Sequence, residues 1–365
     1  MVNIRILESV FLIFVIDVVL GYSNLQISEI KQLARLTKDQ RPLHPKNANG
    51  YLEPILQVRI PGTEGSANVR KHFSNFFETL SPEWKLEFDS FVSGTPLFEK
   101  VNFTNVIATR DPPGVAPESI KRLSLVAHYD SKIEPQGFIG AIDSAVPCAL
   151  IMYTVKQIDD IMTQAWKDGS KSNLGLEIIF LDGEEAFETW TDEDSIYGAR
   201  HLADRWSKEF HTSKDGSKST TRLDNIDIFM LLDLLGAANP SIYSFYQNTH
   251  WAHNNLREIE TKLRKQKLTK TRRSEPKWFR RPPQFAAANG LGDDHVPFLR
   301  KGVPILHVIP VPFPQTWHNI ADDGDHLDLN AIHDWSLILT IFAAEYLDLT
   351  GNIIIPKPGF EFDDL

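Results

Sequence analysis

Acids and imidazoles fall at the ends of apolar runs in this chain. Residues 123–127 lead into His128-Tyr129-Asp130, residues 174–181 into Asp182-Gly183-Glu184-Glu185, and residues 226–232 into Asp233. A fourth run, 303–309, carries His307 and leads into a loop bearing Trp317-His318. Charge placed directly after a strongly apolar run is costly unless it is partnered or used. The available chemistry is restricted to oxygen and nitrogen donors. Cys148 is the single cysteine, so neither an intramolecular disulfide nor a site of several thiolates can form. A catalytic zinc takes three protein ligands and keeps one position open, and Asp143, Glu185 and His318 could supply that set. No local spacing certifies them; only the fold can bring them together. Asp143 could instead cap a helix starting near Pro147, and His318 could be an ordinary loop histidine. If Glu185 binds metal, Glu184 stands beside it free to carry protons, with Gly183 allowing the tight turn that aims both. His128 and Asp233 leave two arrangements open. They could hold a second ion with Asp143 bridging metals about 3.5–4 Å apart, or form a hydrogen-bond network around a single one.

The elements that must position these groups alternate along the chain. Residues 101–108, 123–127, 174–181, 226–232 and 303–309 have the composition of buried strands. Helical spacing appears at 63–80 (Val69, Phe73, Phe76, Phe77), 147–164, 195–210, 250–267 and 332–347. Residues 27–61 are expected to form a helix and an extended linker. Alternation of this kind predicts an α/β fold, a single globular domain with a central, mostly parallel, twisted β-sheet flanked by helices. Ligands bind such sheets at the carboxyl ends of the strands, where the acids and histidines lie.

Residues 1–23 have the pattern of a secretory signal peptide: Arg5, an apolar stretch from Val10 to Leu20 interrupted by Asp17, then small residues. A retained Golgi-type signal anchor is the alternative, and residues 24–365 form the catalytic domain. No stable membrane span is expected after cleavage. The sequon Asn102-Phe103-Thr104 would be usable in that compartment. With 365 residues, 42% of them apolar, and a net charge of −10, the chain is an ordinary globular one unsuited to nucleic acid. The charge is uneven: residues 262–281 hold ten Lys/Arg and one acid, Glu275, a local +9 that leaves −19 for the rest. Such a run is expected to be a solvated helix face and loop, with docking of a peptide or polyanion as the other reading.

Six collinear segments carry a family resemblance. They are Ala127-His128-Tyr129-Asp130-Ser131-Lys132, Gly140-Ala141-Ile142-Asp143-Ser144-Ala145-Val146-Pro147-Cys148 and Asp182-Gly183-Glu184-Glu185-Ala186-Phe187. The others are Leu231-Leu232-Asp233-Leu234-Leu235-Gly236-Ala237, Asp293-Asp294-His295-Val296-Pro297-Phe298 and Pro312-Phe313-Pro314-Gln315-Thr316-Trp317-His318. Over roughly residues 50–350 the chain resembles the glutaminyl-peptide cyclotransferases, relatives of the zinc aminopeptidases. The resemblance implies one zinc per chain on Asp143, Glu185 and His318, with Glu184 as general acid/base. It implies an acidic hydrogen-bond network of Asp233 and Asp293, in which the two carboxylates share a proton, and a substrate pocket lined by Trp190, His307, Phe313 and Trp317. The implied reaction closes N-terminal glutamine, and more weakly glutamate, of peptides and proteins to pyroglutamate, on a monomeric secreted enzyme. A di-zinc aminopeptidase is the alternative. Vertebrate secreted relatives carry a cysteine where this chain has Ala127, so the bridge to Cys148 is absent, and Cys148 is expected to be a buried small hydrophobe.

Overall fold

The computed structural model describes residues 22–167, 172–217, 219–281 and 291–353. The helices are α1 (Ile27–Leu36), α2 (Glu64–Glu78), α3 (Val146–Trp166), α4 (Tyr197–Trp206), α5 (His250–Lys265), α6 (His295–Leu299) and α7 (Leu329–Tyr346). The strands are β1 (Lys85–Ser93), β2 (Val101–Arg110), β3 (Lys121–His128), β4 (Leu174–Leu181), β5 (Phe210–Thr212), β6 (Ser219–Thr221), β7 (Ile226–Leu232) and β8 (Ile305–Val308). Six of them form one sheet in the order β1-β2-β4-β3-β7-β8, while β5 and β6 pair separately. Strands β4, β3, β7 and β8 are parallel, and β2 alone runs against its neighbours β1 and β4.

The parallel strands are apolar on both faces, as a sheet covered on both sides requires. Leu123, Leu125 and Ala127 of β3 share a core with Leu176, Ile178 and Phe180 of β4 and with α1, α2, α3, α5 and α7. The alternate residues Val126, Ile179, Leu181, Phe229 and Leu231 face the opposite way, into a core with α4 and Phe298 of α6. Helix α3 is apolar almost all round because it lies between the sheet and α7, and Pro147 occupies its first turn, where no amide donor is needed. Helix α7 starts at Asp328, whose carboxylate accepts from the amides of Asn330 and Ala331, both at 2.9 Å. Such a cap contributes about 1 kcal/mol. Phe73 of α2 stacks on Phe180 with ring centroids 4.0 Å apart, fixing α2 over the end of β4.

Register sets the site. His128 pairs with Leu181 across β3–β4, Val126 with Leu231 across β3–β7, and Leu231 with His307 across β7–β8. The residues just past these strands therefore share one edge of the sheet.

The expected strands and long helices are present, but several elements lie outside the sequence pattern. β1 is a solvent-facing edge strand with Phe88 and Val92 exposed, so it lacks a continuous apolar run. α6 and the β5–β6 hairpin are too short to show a period. Residues 27–61 contain α1 and two short 3-10 turns. Within the basic run, Arg264 is buried and bonded to Glu260 and to the carbonyls of Arg272, Glu275 and Pro276, unlike the solvated face expected there. Most of the leader lies outside the described residues. Its last two residues belong to the folded body: the Tyr22 ring packs on Trp251 at 5.7 Å, its hydroxyl donates to Glu345, and the Ser23 amide donates to the Glu345 carbonyl. No helix among the described residues is long and apolar enough to cross a membrane. Asn102 is exposed on β2.

Candidate metal centre and substrate pocket

Asp143 sits between Gly140 and α3, in the irregular segment Ala141–Ala145, and does not cap α3, whose N-cap is Ala145. Gly140 has φ +46, and a Cβ there would lie 1.9 Å from the Asp143 carbonyl oxygen, so only glycine permits this turn. Glu185 follows β4 through Gly183, whose φ is +72 and whose missing Cβ would strike the Phe103 ring at 2.5 Å. His318 comes from the loop after β8, its ring stacked on Trp317 with centroids 4.0 Å apart. The three meet. His318 Nε2 lies 3.5 Å from Asp143 Oδ2 and 3.5 Å from Glu185 Oε1.

Asp143 Oδ2 and both Glu185 carboxylate oxygens are buried without a hydrogen-bond partner among the described residues. The nearest cation to Glu185 is Lys132, 3.5 Å from Oε2. Buried anionic oxygens left bare in this way are expensive, and two carboxylates plus an imidazole form the donor set of a catalytic zinc. The residues fit a divalent cation. The local electrostatics agree with that. Burial, then repulsion from Glu185, pushes the Asp143 carboxyl up to about 6. Burial would depress His318, but Glu185 and Asp143 outweigh it and raise its pKa. A field that favours an imidazolium favours a metal ion in the same place.

Two neighbouring groups have metal-ligand composition but a different state. In His128, Asp143 and Asp233, the His128 Nε2 bonds Asp143 Oδ1 at 2.9 Å and lies 3.6 Å from Asp233 Oδ1. Asp233 Oδ1 also accepts from the Ser144 hydroxyl and from the Leu234 amide. In Asp293, His295 and His307, Asp293 accepts from the Asp294 amide at 2.6 Å and bonds His307 Nε2 at 2.7 Å, while His295 Nε2 bonds the Tyr246 hydroxyl at 2.7 Å. Most of these ligand atoms are bonded to one another or to neighbouring donors, although His295 Nδ1 has no partner among the described residues.

Beside the Asp143–Glu185–His318 group opens a pocket of about 170 Å³, lined by Glu184, Trp190, Asp233, Asp293, Phe313 and Trp317 together with Leu234, Leu291 and Ile309. Trp190 and Trp317 are about two-fifths exposed at its mouth, and the Trp190 indole nitrogen lies 3.0 Å from where a Cβ on Gly292 would stand. Burial, with repulsion from Glu185, Asp293 and Asp294, holds the Glu184 carboxyl well above the ordinary range despite the opposing pull of His128. Asp233 and Asp293 are each held by their own donors. His307 is on β8 itself, behind Asp293, and does not line the pocket.

Several residues that organise the site carried no role in the sequence reading. Asp130 Oδ1 accepts from the Glu184 amide at 3.0 Å and Oδ2 from the Glu185 amide at 3.1 Å, with His128 Nδ1 3.3 Å from Oδ1. One carboxylate thus fixes base, ligand and neighbouring imidazole. Arg59 is fully buried, and its guanidinium donates to the carbonyls of Tyr129, Ile139, Gly140 and Asp143. Asp322 accepts from the Ile142 amide at 2.8 Å, tying the His318 loop to the Asp143 loop. Asp194 accepts from the amides of Phe187, Glu188 and Thr189, all at 2.9 Å, and so shapes the loop that carries Trp190. Cys148 is buried with its thiol donating to the His128 carbonyl at 3.2 Å, and burial pushes that thiol up to about 12.

Sheet order, strand-end acids and a metal-ligand triad are what a metal-dependent α/β exopeptidase fold provides, and residues 105–343 match the model of peptidase family M28. The chain is 42% identical over 307 residues to the glutaminyl-peptide cyclotransferase-like protein of Bos taurus, covering 82% of this chain and 75% of that one. It is 37% identical over 334 residues to the glutaminyl-peptide cyclotransferase of Drosophila melanogaster, covering 90% and 87%. The crystal structure of Macrostomum lignano glutaminyl cyclase superposes with a TM-score of 0.76 at 34% identity, covering 91% of this chain and 96% of that one. This chain belongs to the glutaminyl-peptide cyclotransferase family, within the M28 peptidase fold, and is an enzyme of that class.

Proposed function

We propose that the enzyme closes the N-terminal glutamine of peptides and proteins, and less readily glutamate, to pyroglutamate, using one zinc ion per chain. The observation that carries this reading is the contrast between the three candidate triads. Among the described residues, Asp143 Oδ2 and both Glu185 oxygens are bare beside His318, whereas Asp143 Oδ1 bonds His128, Asp233 Oδ1 accepts from Ser144 and Asp293 Oδ2 bonds His307. The bare oxygens of Asp294, next to Asp293, belong to none of the three triads. A di-zinc aminopeptidase needs both of the first two triads free to hold metal.

Asp143, Glu185 and His318 would hold the zinc, which when bound would supply a Lewis acid for the substrate's side-chain carbonyl. The substrate brings its own nucleophile, so the protein's task is to fold the side chain back on the α-amine and to move a proton. Trp190, Trp317 and Phe313 enclose the side chain in a near-attack conformer. The α-nitrogen bonds to the side-chain carboxamide carbon (Cδ) and the bond from that carbon to the amide nitrogen breaks. Glu184 takes the proton from the α-nitrogen and returns it to the departing nitrogen, which leaves as ammonia. A carboxyl held well above its ordinary pKa is matched to that shuttle. Asp233, fixed by Ser144, orients the amine, and Asp293, backed by His307, completes the acidic wall.

Mass spectrometry of a glutamine-initiated peptide separates the readings. A cyclotransferase removes about 17 Da and leaves the peptide length unchanged, the loss being one ammonia; release of a free N-terminal residue would establish the aminopeptidase instead. The leader-like N-terminus and the exposed Asn102 support entry into the secretory pathway, and we place the enzyme there as a monomer.

A further inference from the structure

Outside the substrate pocket, a groove of about 500 Å³ lies between α5 and residues 277–281. Five cations line it: Arg257, Lys262, Lys277, Arg280 and Arg281; the one acid on its wall is Glu258. Lys262 is 3.7 Å from the buried Glu345 carboxylate. Among the described residues the other four have no carboxylate within ion-pairing distance, and residues 282–290, which follow, contain no acid. Among the described residues the Lys277 ammonium bonds the Thr261 hydroxyl, the Arg280 guanidinium bonds that of Ser241, and Arg257 Nε is buried without a hydrogen-bond partner. Lys262, Lys277, Arg280 and Arg281 belong to the +9 run, on a chain whose remaining charge is −19.

The groove adjoins the catalytic pocket through a second hollow. Arg280 donates to Ser241 Oγ at 2.7 and 3.1 Å. Ser241, Pro240, Pro310 and Pro312 line a depression of about 730 Å³ whose other wall includes Leu234 and Phe313. Leu234 and Phe313 also line the substrate pocket. The Val311 amide donates to the Ser241 carbonyl at 2.9 Å, which keeps the two walls in register. The way from Phe313 to the Arg280 guanidinium therefore runs across this depression, and an extended chain covers ~3.3 Å of it per residue.

We propose that this basic groove is a subsite for acidic side chains of the substrate polypeptide, several residues downstream of the N-terminal glutamine. The inference rests on the cyclase reading for the position of that N-terminus. A substrate chain leaving the pocket past Phe313 meets the proline-lined hollow first, where apolar residues suit it, and the unpaired cations next. Electrostatic complementarity at such a rim acts on association and is screened by salt. It also offsets the repulsion that an acidic substrate feels from a chain of net charge −10.

The test compares three octapeptides that start Gln-Ala-Ala-Ala and continue with three Glu, three Ser or three Lys before a final Ala. Ammonia release gives kcat and KM. At about 50 mM salt the acidic peptide is expected to have a KM three- to tenfold below the Ser peptide with the same kcat, the gap closing to under twofold at about 500 mM. K277Q/R281Q should abolish the gap and K277E/R281E should transfer the preference to the Lys peptide. Turnover of a two-residue glutaminyl substrate, too short to reach the groove, should be unchanged in both variants. Equal KM values for acidic and neutral peptides, with normal turnover, would overturn the subsite. So would groove-dependent retention on heparin without any KM difference, which would assign the groove to a polyanion. Failure of every peptide, the shortest included, to release ammonia would instead refute the cyclase reading.

Discussion

Replacing Asp130 by asparagine changes one charge and almost no volume, so it isolates the role of that carboxylate. Asp130 Oδ1 serves the Glu184 amide and His128, and Oδ2 serves the Glu185 amide. An asparagine must turn its NH₂ toward one of these donors. The cheaper orientation faces Glu185, leaving that buried amide without an acceptor at a cost of about 1–3 kcal/mol. The bonds that remain lose their charge assistance, roughly half their strength. The sum, about 2–4 kcal/mol, falls on the turn that aims both Glu184 and Glu185. Loss of an outer partner of this kind typically lowers metal affinity or activity 10–100-fold. Chelator competition gives the zinc affinity, and kcat/KM is measured well below the melting temperature so that global unfolding does not contribute. Asp159→Asn is the control. Asp159 bonds Arg110, Trp84 and Ser81 in a buried cluster away from the site, so the variant should lose about 3–5 kcal/mol of stability with zinc affinity intact. An Asp130→Asn enzyme that binds zinc and turns over within twofold of wild type would refute the organising role.

Other variants test the remaining supports. Arg59→Lys keeps the charge but cannot reach four carbonyls with one ammonium. Zinc affinity should fall at least tenfold, and an unchanged affinity would reduce Arg59 to a packing residue. Asp194 should control substrate binding by shaping the Trp190 loop. Burial opposes its ionisation, but the Phe187, Glu188 and Thr189 amides and the Tyr197 hydroxyl outweigh burial and hold its pKa below the ordinary carboxylate value. The stabilisation is therefore complete above the unfolded-state carboxylate pKa and is lost as pH falls through the depressed folded value. Asp194→Asn should raise KM severalfold with zinc content unchanged and flatten the acid limb of the stability–pH curve. A wild-type limb in that variant would show that other carboxylates set it.

Part of the site was legible because Glu184, Glu185 and Asp233 follow apolar strands directly, where the burial pattern marks the position and register brings the ends together. Glu184 and Glu185 follow β4 directly, and Asp233 follows β7. Arg59 was illegible for the opposite reason. It lies in a stretch without periodicity, and its partners are carbonyls 70 to 84 residues away, which leave no side-chain signature. Asp194 sits in the polar run Thr191-Asp192-Glu193-Asp194, which has the composition of an exposed turn although its last residue is buried. His307 shows the converse. The family resemblance implies a pocket wall there, but His307 bonds Asp293 and is not among the residues that line the pocket. β1 escaped notice because an edge strand with one solvent face needs no continuous apolar run.

The central claim is that Glu184 moves the proton while Asp143, Glu185 and His318 hold the metal. It is tested most directly by Glu184→Gln, with zinc content and peptide mass measured on the same preparation. One zinc per chain and no loss of the ~17 Da ammonia mass, over a time in which wild type converts the peptide fully, is the expected result. Cyclisation at the wild-type rate by the zinc-loaded variant would contradict the account.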